Sequence, residues 1–158
     1  MKNFTHLDEK LQPSMVDVGE KGISQRTAVA QTIVILPAEV VQKFADGDIQ
    51  TKKGAVFQTA IIAGIMAAKK TGELIPLCHP LGLENCSINI EFHKENELHI
   101  LCTASITAKT GVEMEALVGS SIAALTVYDM CKALSHDIVI KETKLLKKTG
   151  GRNDFTRA

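Results

Sequence analysis

Residues 109–132 have the sequence KTGVEMEALVGSSIAALTVYDMCK, which predicts one long helix. The middle of this segment is apolar and built from small side chains, whereas both of its ends are charged. Glu113 and Glu115 lie near its start, and Asp129 and Lys132 lie near its end. Charges beside a core-forming surface are costly unless they are paired or used. The pattern is therefore typical of a helix whose two ends take part in chemistry.

The segments around this helix carry strand and helix patterns in turn. Four segments are rich in β-branched residues or alternate in hydropathy and are predicted strands: 26–36, 86–93, 98–108 and 137–148. Helices are predicted over 37–47, which opens with a proline, and over 56–70, which is apolar on nearly every face. This order predicts an α+β sandwich of ferredoxin-like fold, with a mostly antiparallel four-stranded sheet and helices packed on one face.

The length of 158 residues suits one domain with its own core. We expect an irregular N-terminal arm over residues 1–24, a single catalytic α+β domain over 25–150, and a flexible tail over 151–158. A helix that is apolar all round is buried all round, so part of the helix at 56–70 is expected to contact a partner subunit.

Composition argues against several classes of function. The 18 basic and 18 acidic side chains balance, and the chain has one Tyr and no Trp, so neither general nucleic-acid binding nor an RNA-binding sheet is favoured. No CxxC pair occurs among the four cysteines, the N-terminus has no signal-like apolar stretch, and no apolar run is long enough to cross a membrane. We expect a cytoplasmic protein with no nucleic-acid or membrane partner.

Asp129 and Lys132 are three residues apart and therefore share a helix face. A surface ion pair, worth less than about 1 kcal/mol, is one interpretation. The core-like residues around them favour another, in which Lys132 is partly desolvated and its pKa is lowered, while the nearby carboxylate raises it again. Such a pair can exchange protons near neutral pH.

Glu115 and Asp129 point to nearly the same side of the predicted helix, about 40° apart around the axis. They are also separated by about 21 Å along it. One small substrate cannot contact both on the same helix, so either the ligand is long or helix ends from different subunits meet at one site. A simpler interpretation of Glu113 and Glu115 is that they interact favourably with the helix dipole.

His79 lies between Cys78 and Pro80, in a rigid loop that suits a binding or proton-transfer role or, equally, a histidine bonded to backbone. No spacing around His79 supplies the further ligands of a metal site. Several lysines lie in loops or at element ends, some beside glycines, where they suit phosphate groups or are simply solvated: Lys52, Lys53, Lys109, Lys147 and Lys148.

Three segments, LIPLCHPL, KTGVEMEAL and TVYDMCKA, resemble the molybdenum cofactor biosynthesis protein C (MoaC) family, the cyclic pyranopterin monophosphate synthases. MVDVGEK, QRTAVA, IAGIMAAK and KKTGG are also similar to that family, so the resemblance runs from about Thr5 to Gly151. It implies a lyase that converts 3′,8-cyclo-7,8-dihydro-GTP, supplied by a radical SAM enzyme, into cyclic pyranopterin monophosphate with release of pyrophosphate. It implies no cofactor and no metal. It also implies a homo-oligomer, a hexamer built as a trimer of dimers, with active sites between subunits.

The resemblance also implies roles for individual residues. The catalytic positions fall on Asp129, Lys53 and Lys132. The substrate-binding positions, including phosphate contacts at the arginine and the last lysine, fall on Leu77, Cys78, His79, Met114, Glu115, Glu113, Arg26 and Lys148. Ala55 and Ile61 depart from the polar or charged residues common in the family. The competing hypothesis is a non-catalytic ferredoxin-like protein for ligand binding or regulation, in which the three catalytic positions need not converge.

Overall fold

The computed structural model describes residues 6–157 and has an antiparallel sheet at its centre. In chain order, the elements are β1 (Ser24–Ile35), α1 (Ala38–Val41), β2 (Phe44–Ala45), β3 (Asp48–Thr51), β4 (Gly54–Ala55), α2 (Val56–Lys69), α3 (Thr71–Leu74), β5 (Asn85–Lys94), β6 (Glu97–Ala108), α4 (Glu113–Cys131), β7 (Val139–Thr149) and β8 (Phe155–Thr156). Within this range, no helix combines the length and the hydropathy needed to span a bilayer.

The main sheet has the strand order β5-β6-β1-β7-β8, and α2 and α4 pack on one face of it. The predicted α+β architecture with an antiparallel sheet is therefore confirmed. The predicted strand count of four is one too low, because Phe155 and Thr156 pair with Lys148 and Lys147 as a fifth, short strand. A strand of two residues is too short to show the alternation of apolar and polar residues by which strands are recognised in a sequence. The domain boundaries stay a prediction.

Alternation along the central strands explains where the core lies. Val34, Leu98 and Ile100 are fully buried under the helices, because residues two apart on a strand share a face. A polar contact also crosses this layer, since the buried Thr32 hydroxyl of β1 donates to Ser120 Oγ of α4 at 3.0 Å. This hydrogen bond links α4 to the central strand of the sheet.

Two glycines let α2 and α4 approach each other closely. A Cβ added at Gly64 would lie 2.6 Å from the carbonyl oxygen of Gly119, and one at Gly119 would lie 2.6 Å from Cys102 Sγ. Only glycine fits contacts this close. The crossing point therefore fixes α2, α4 and the sheet relative to one another.

A small second sheet, β2-β3-β4, lies between α1 and α2. The helix predicted over 37–47 is wrong beyond Val41, where the chain turns into β2 and places Phe44 against Phe57 and Phe92, with ring centroids 5.9 and 5.1 Å away. The buried Asp48 carboxylate accepts backbone N–H groups of Phe57 and Gln58 at 2.7 and 3.1 Å, which caps the start of α2. Both contacts anchor the β3–β4 hairpin.

Candidate functional site

Asp129, Lys53 and Lys132 meet at the C-terminal end of α4. The Asp129 carboxylate accepts hydrogen bonds from Lys53 Nζ at 2.9 Å and from Lys132 Nζ at 2.8 Å. Lys53 Nζ also donates to the Asp129 carbonyl at 3.3 Å. The structure therefore brings together the three residues predicted to be catalytic, although Lys53 precedes Asp129 by 76 positions.

The hairpin between β3 and β4 positions Lys53. Gly54 has a φ of +107°, which favours glycine, and the Lys53 N–H donates to Thr51 Oγ1 at 3.1 Å. Because β3 is held to α2 through Asp48, the Lys53 side chain is presented to the end of α4 from a fixed turn.

The charges of this group stabilise each other. The hydrogen bonds from Lys132 and Lys53 lower the pKa of Asp129 to about 2, and the bond to Asp129 raises the pKa of Lys132. All three side chains are about half exposed, with 54% for Asp129 and Lys53 and 49% for Lys132. The expectation of a partly desolvated Lys132 with a lowered pKa is wrong for the single chain, because solvent and the carboxylate both favour the charged amine.

The residues predicted to bind substrate lie elsewhere, around a cavity of about 430 Å³ at the N-terminal end of α4. It is formed by the arm before β1, the start of β1, the loop after α3, the start of α4 with the loop before it, and the end of β7 with the residues that follow. All eight predicted positions line it, namely Leu77, Cys78, His79, Met114, Glu115, Glu113, Arg26 and Lys148. The structure brings them together, and substrate binding by them stays a prediction.

Two basic groups of this cavity have unusual settings. The Arg26 guanidinium donates through Nη2 to the Lys109 carbonyl at 3.4 Å, whereas its buried Nε has no hydrogen-bond partner among the described residues. A buried donor without a partner is costly. Lys148 Nζ forms an ion pair with Glu113 Oε1 at 2.9 Å. Both groups can donate to an anionic ligand.

Glu115 is the buried acid of the cavity, with 3% of the residue exposed. Burial raises the pKa of this carboxyl, and the neighbouring Glu113 raises it further. Burial also raises the pKa of the Cys78 thiol, and the negative charge of Glu115 raises it further. Glu115 is therefore a carboxyl that takes up a proton more readily than an exposed one.

The N-terminal arm closes one side of the cavity. His79 donates through Nε2 to the Val16 carbonyl at 2.9 Å, and Lys109 Nζ donates to the Gly19 carbonyl at 2.5 Å. Both features expected of His79 are present, since its ring lines the cavity and is hydrogen-bonded to backbone.

Sequence reasoning did not assign several lining residues, among them Val16, Val18, Lys21 and Arg152. Val16 and Val18 belong to MVDVGEK, whose similarity to the family was the available signal. Arg152 lies in the segment 151–158, which was expected to be a flexible tail. Of the lysines suggested for phosphate, Lys109 and Lys148 also line the cavity.

The two groups of residues lie at opposite ends of one helix. Glu115 and Asp129 are 14 residues apart on α4, which corresponds to about 21 Å along the axis. Within one chain, the described residues therefore form a basic cavity with a buried acid and, separately, an exposed Lys–Asp–Lys cluster.

Comparison with known proteins shows which family the chain belongs to. A MoaC family model matches residues 15–151. The chain is 49% identical over 155 residues to a cyclic pyranopterin monophosphate synthase of Xanthomonas campestris, and 98% of this chain and 94% of that protein are covered. It is 50% identical over 156 residues to a protein of the same name from Lysinibacillus sphaericus, with 97% and 96% covered.

A longer relative is also similar. The chain is 53% identical over 158 residues to a molybdenum cofactor biosynthesis bifunctional protein of Synechocystis sp., covering 98% of this chain. It spans 46% of the length of that relative, so the alignment concerns one part of a larger protein.

Proposed function

Because the chain belongs to the MoaC family, we propose that it is a cyclic pyranopterin monophosphate synthase, a lyase of molybdenum cofactor biosynthesis. Its substrate is 3′,8-cyclo-7,8-dihydro-GTP, supplied by a radical SAM enzyme, and its products are cyclic pyranopterin monophosphate and pyrophosphate. Full-length similarity to proteins named for this activity supports the proposal.

The convergence of Lys53 on Asp129 and Lys132 is the observation that favours an enzyme over a ligand-binding module. A binding protein has no need to bring a lysine from a distant hairpin within 2.9 Å of this carboxylate. Two amines and a carboxylate within hydrogen-bond distance can donate and accept protons. We assign to this cluster the proton transfers of ring opening and closure.

The cavity suits the triphosphate end of the substrate. Its basic lining residues are Lys21, Arg26, Lys109, Lys148 and Arg152. Guanidinium and ammonium groups bind phosphate oxygens and stabilise the charge that develops on departing pyrophosphate. An incoming phosphate would give the buried Arg26 Nε an acceptor, and Lys148 would exchange its carboxylate partner for that phosphate.

The separation of about 21 Å between cavity and cluster supports an active site formed by two subunits. In that arrangement, α4 contributes Asp129 to one site and Glu115 to another. Leu125 is 52% exposed and lies one helical turn before Asp129, and on α2 Ile62 and Met66 are 60% and 50% exposed. Apolar residues on these faces support burial by another subunit. We propose a hexamer, a trimer of dimers.

Subunit contact would also change the acid–base properties of the cluster. In the single chain, Asp129 is ionised and Lys132 is protonated at neutral pH, because each stabilises the other. Covering the cluster removes water, which disfavours both charged forms and brings the two pKa values closer together. Proton exchange near neutral pH then becomes accessible.

Turnover of the purified intermediate tests the proposal. Asp129→Asn keeps the size and shape of the side chain but cannot accept a proton as a carboxylate does. We expect it to lower turnover by about 10²–10⁴-fold while the oligomer stays folded, measured by pterin fluorescence and circular dichroism. Asp137→Asn, an exposed aspartate beyond α4, is the control and keeps full activity. Wild-type turnover by Asp129→Asn would refute the assigned role.

A further inference from the structure

A third cluster lies outside both parts of the proposed active site, at the β5–β6 hairpin. His93, Glu97 and His99 each offer one ligand atom, and these atoms all lie within 4.8 Å of one another. His99 Nε2 is 2.8 Å from Glu97 Oε1, and the two imidazole rings stack with centroids 4.4 Å apart. Glu97 is buried and His93 is exposed.

A β-bulge brings His93 to this cluster. The ladder pairs Phe92 with Leu98 and then Lys94 with Glu97, so His93 is an extra residue without a partner opposite it. Such a residue changes the direction of the local side chains. Leu98 faces the core under the helices, so Glu97 and His99 point to the opposite face of the sheet.

We propose that His93, Glu97 and His99 bind a divalent transition-metal ion of the zinc type. Two imidazole nitrogens and one carboxylate oxygen match the ligands that zinc takes in sites that leave a fourth position for water. The nitrogen ligands select against Mg²⁺ and Ca²⁺. Bonds of about 2.0–2.1 Å require ligand atoms about 3.4 Å apart in a tetrahedron. On binding, His99 Nε2 and Glu97 Oε1, which are 2.8 Å apart, would therefore separate slightly, and the exposed His93 ring would turn toward them.

Neighbouring groups already orient the two fixed ligands. Gln31 Nε2 lies 3.1 Å from His99 Nδ1. With its amide turned, the Gln31 carbonyl oxygen accepts a hydrogen bond from the Nδ1–H group of His99 and leaves Nε2 for the metal, which is the usual outer contact of a metal-bound histidine. Lys141 and Lys94 approach Glu97 Oε2 at 3.5 and 4.0 Å, which leaves Oε1 for the ion. Both lysines are more than half exposed and can turn into solvent.

The position of this site indicates a role separate from the proposed reaction. β6 runs from Glu97 at the hairpin to Ala108 beside the substrate cavity, a distance of more than about 30 Å. The cluster also lies on the face of the sheet away from α4. A bound ion would therefore cross-link β5 to β6 at their joined end without contacting substrate.

Zinc binding to the full-length, untagged, metal-stripped chain tests this proposal. Equilibrium dialysis against zinc chloride with elemental analysis measures stoichiometry and affinity, and visible absorption of the Co²⁺-loaded chain reports the ligand geometry. We expect one ion per chain in the wild type. His93→Asn removes an exposed ligand without disturbing the core, and we expect it to weaken binding at least about tenfold, while Gln31→Leu weakens it by about 10–100-fold.

His136→Asn is the matched control, because His136 is also exposed but lies outside the cluster. It should bind like the wild type and should give the same Co²⁺ spectrum. Absence of stoichiometric zinc in the wild type, or equal affinity in wild type and His93→Asn, would overturn the proposal.

Discussion

At the scale of single residues, the two acids at the start of α4 have different environments. Glu113 is partly exposed and paired with Lys148, whereas Glu115 is buried. Burial raises the pKa of Glu115 above its usual value of 4.5, so the folded chain favours the neutral carboxyl. Glu115 therefore supports folding below pH 4.5, and this support is lost as pH rises through its folded-state pKa.

The raised pKa of Glu115 predicts how Glu115→Gln changes the free energy of unfolding. Glutamine keeps the shape and cannot ionise, so at pH 7 we expect the ligand-free variant to be more stable than the wild type by about 1–3 kcal/mol. The gain should shrink toward zero near pH 4, where the wild-type carboxyl is also neutral. Urea unfolding at both pH values measures this difference.

Glu113→Gln is the matched control for that measurement. It removes a partner of Lys148 at a partly exposed position, and this loss offsets the weaker repulsion of Glu115, so a gain as large as that of Glu115→Gln is not expected at either pH. A stability difference for Glu115→Gln that is the same at both pH values would contradict the burial argument.

At the scale of elements, the contact between α2 and α4 depends on the absence of two side chains. We expect Gly64→Ala to destabilise the chain by about 1–3 kcal/mol, because the new Cβ meets the Gly119 backbone and Ile88. Replacing glycine by alanine in a helix interior would by itself stabilise the helix by about 1 kcal/mol, but the steric overlap of the new Cβ outweighs this gain in helix propensity. Thermal or urea unfolding measures the loss.

Gly82→Ala is the control at a site where an added Cβ meets nothing within 4 Å. Its effect should stay within about 0.5 kcal/mol. Equal stability of Gly64→Ala and the wild type would show that the helices can separate without cost.

The elements that sequence patterns predicted are those with many periods. The strands β1, β5, β6 and β7 have 10–12 residues each and α4 has 19, which is long enough for a sequence pattern to be recognised. β2, β4 and β8 have two residues each, and the contacts that stabilise them, such as Phe44 against Phe92, are distant in sequence. The cap that Asp48 provides to α2 was missed for the same reason, since it reaches across nine positions.

At the scale of the whole molecule, the sequence could not place Lys53 beside Asp129 by pattern alone. Their 76-residue separation is closed only by folding, and family resemblance was the sole signal for it. The same holds for the arm residues Val16 and Val18 and for the bulge that carries His93 into its cluster.

An active site shared between subunits predicts complementation between two inactive variants. Asp129→Asn damages the cluster and Arg26→Ala damages the cavity, so each homo-oligomer should be inactive. Refolding them together at equal ratio should restore about one quarter of wild-type turnover, because about one quarter of the sites then receive both intact contributions.

Size-exclusion chromatography with light scattering confirms that mixed oligomers form. Activity no greater than the sum of the two separate variants, in samples that contain mixed oligomers, would contradict a shared site.

The length of α4 limits which mutations this protein can accept during evolution. Because each residue turns a helix by about 100°, inserting or deleting one residue between Glu115 and Asp129 would rotate Asp129 away from Lys53 even if every side chain were retained. The loops can vary in length. The number of residues in the helix, by contrast, sets both the distance between Glu115 and Asp129 and their relative orientation around the axis. Variation within α4 should therefore be by substitution and almost never by insertion or deletion.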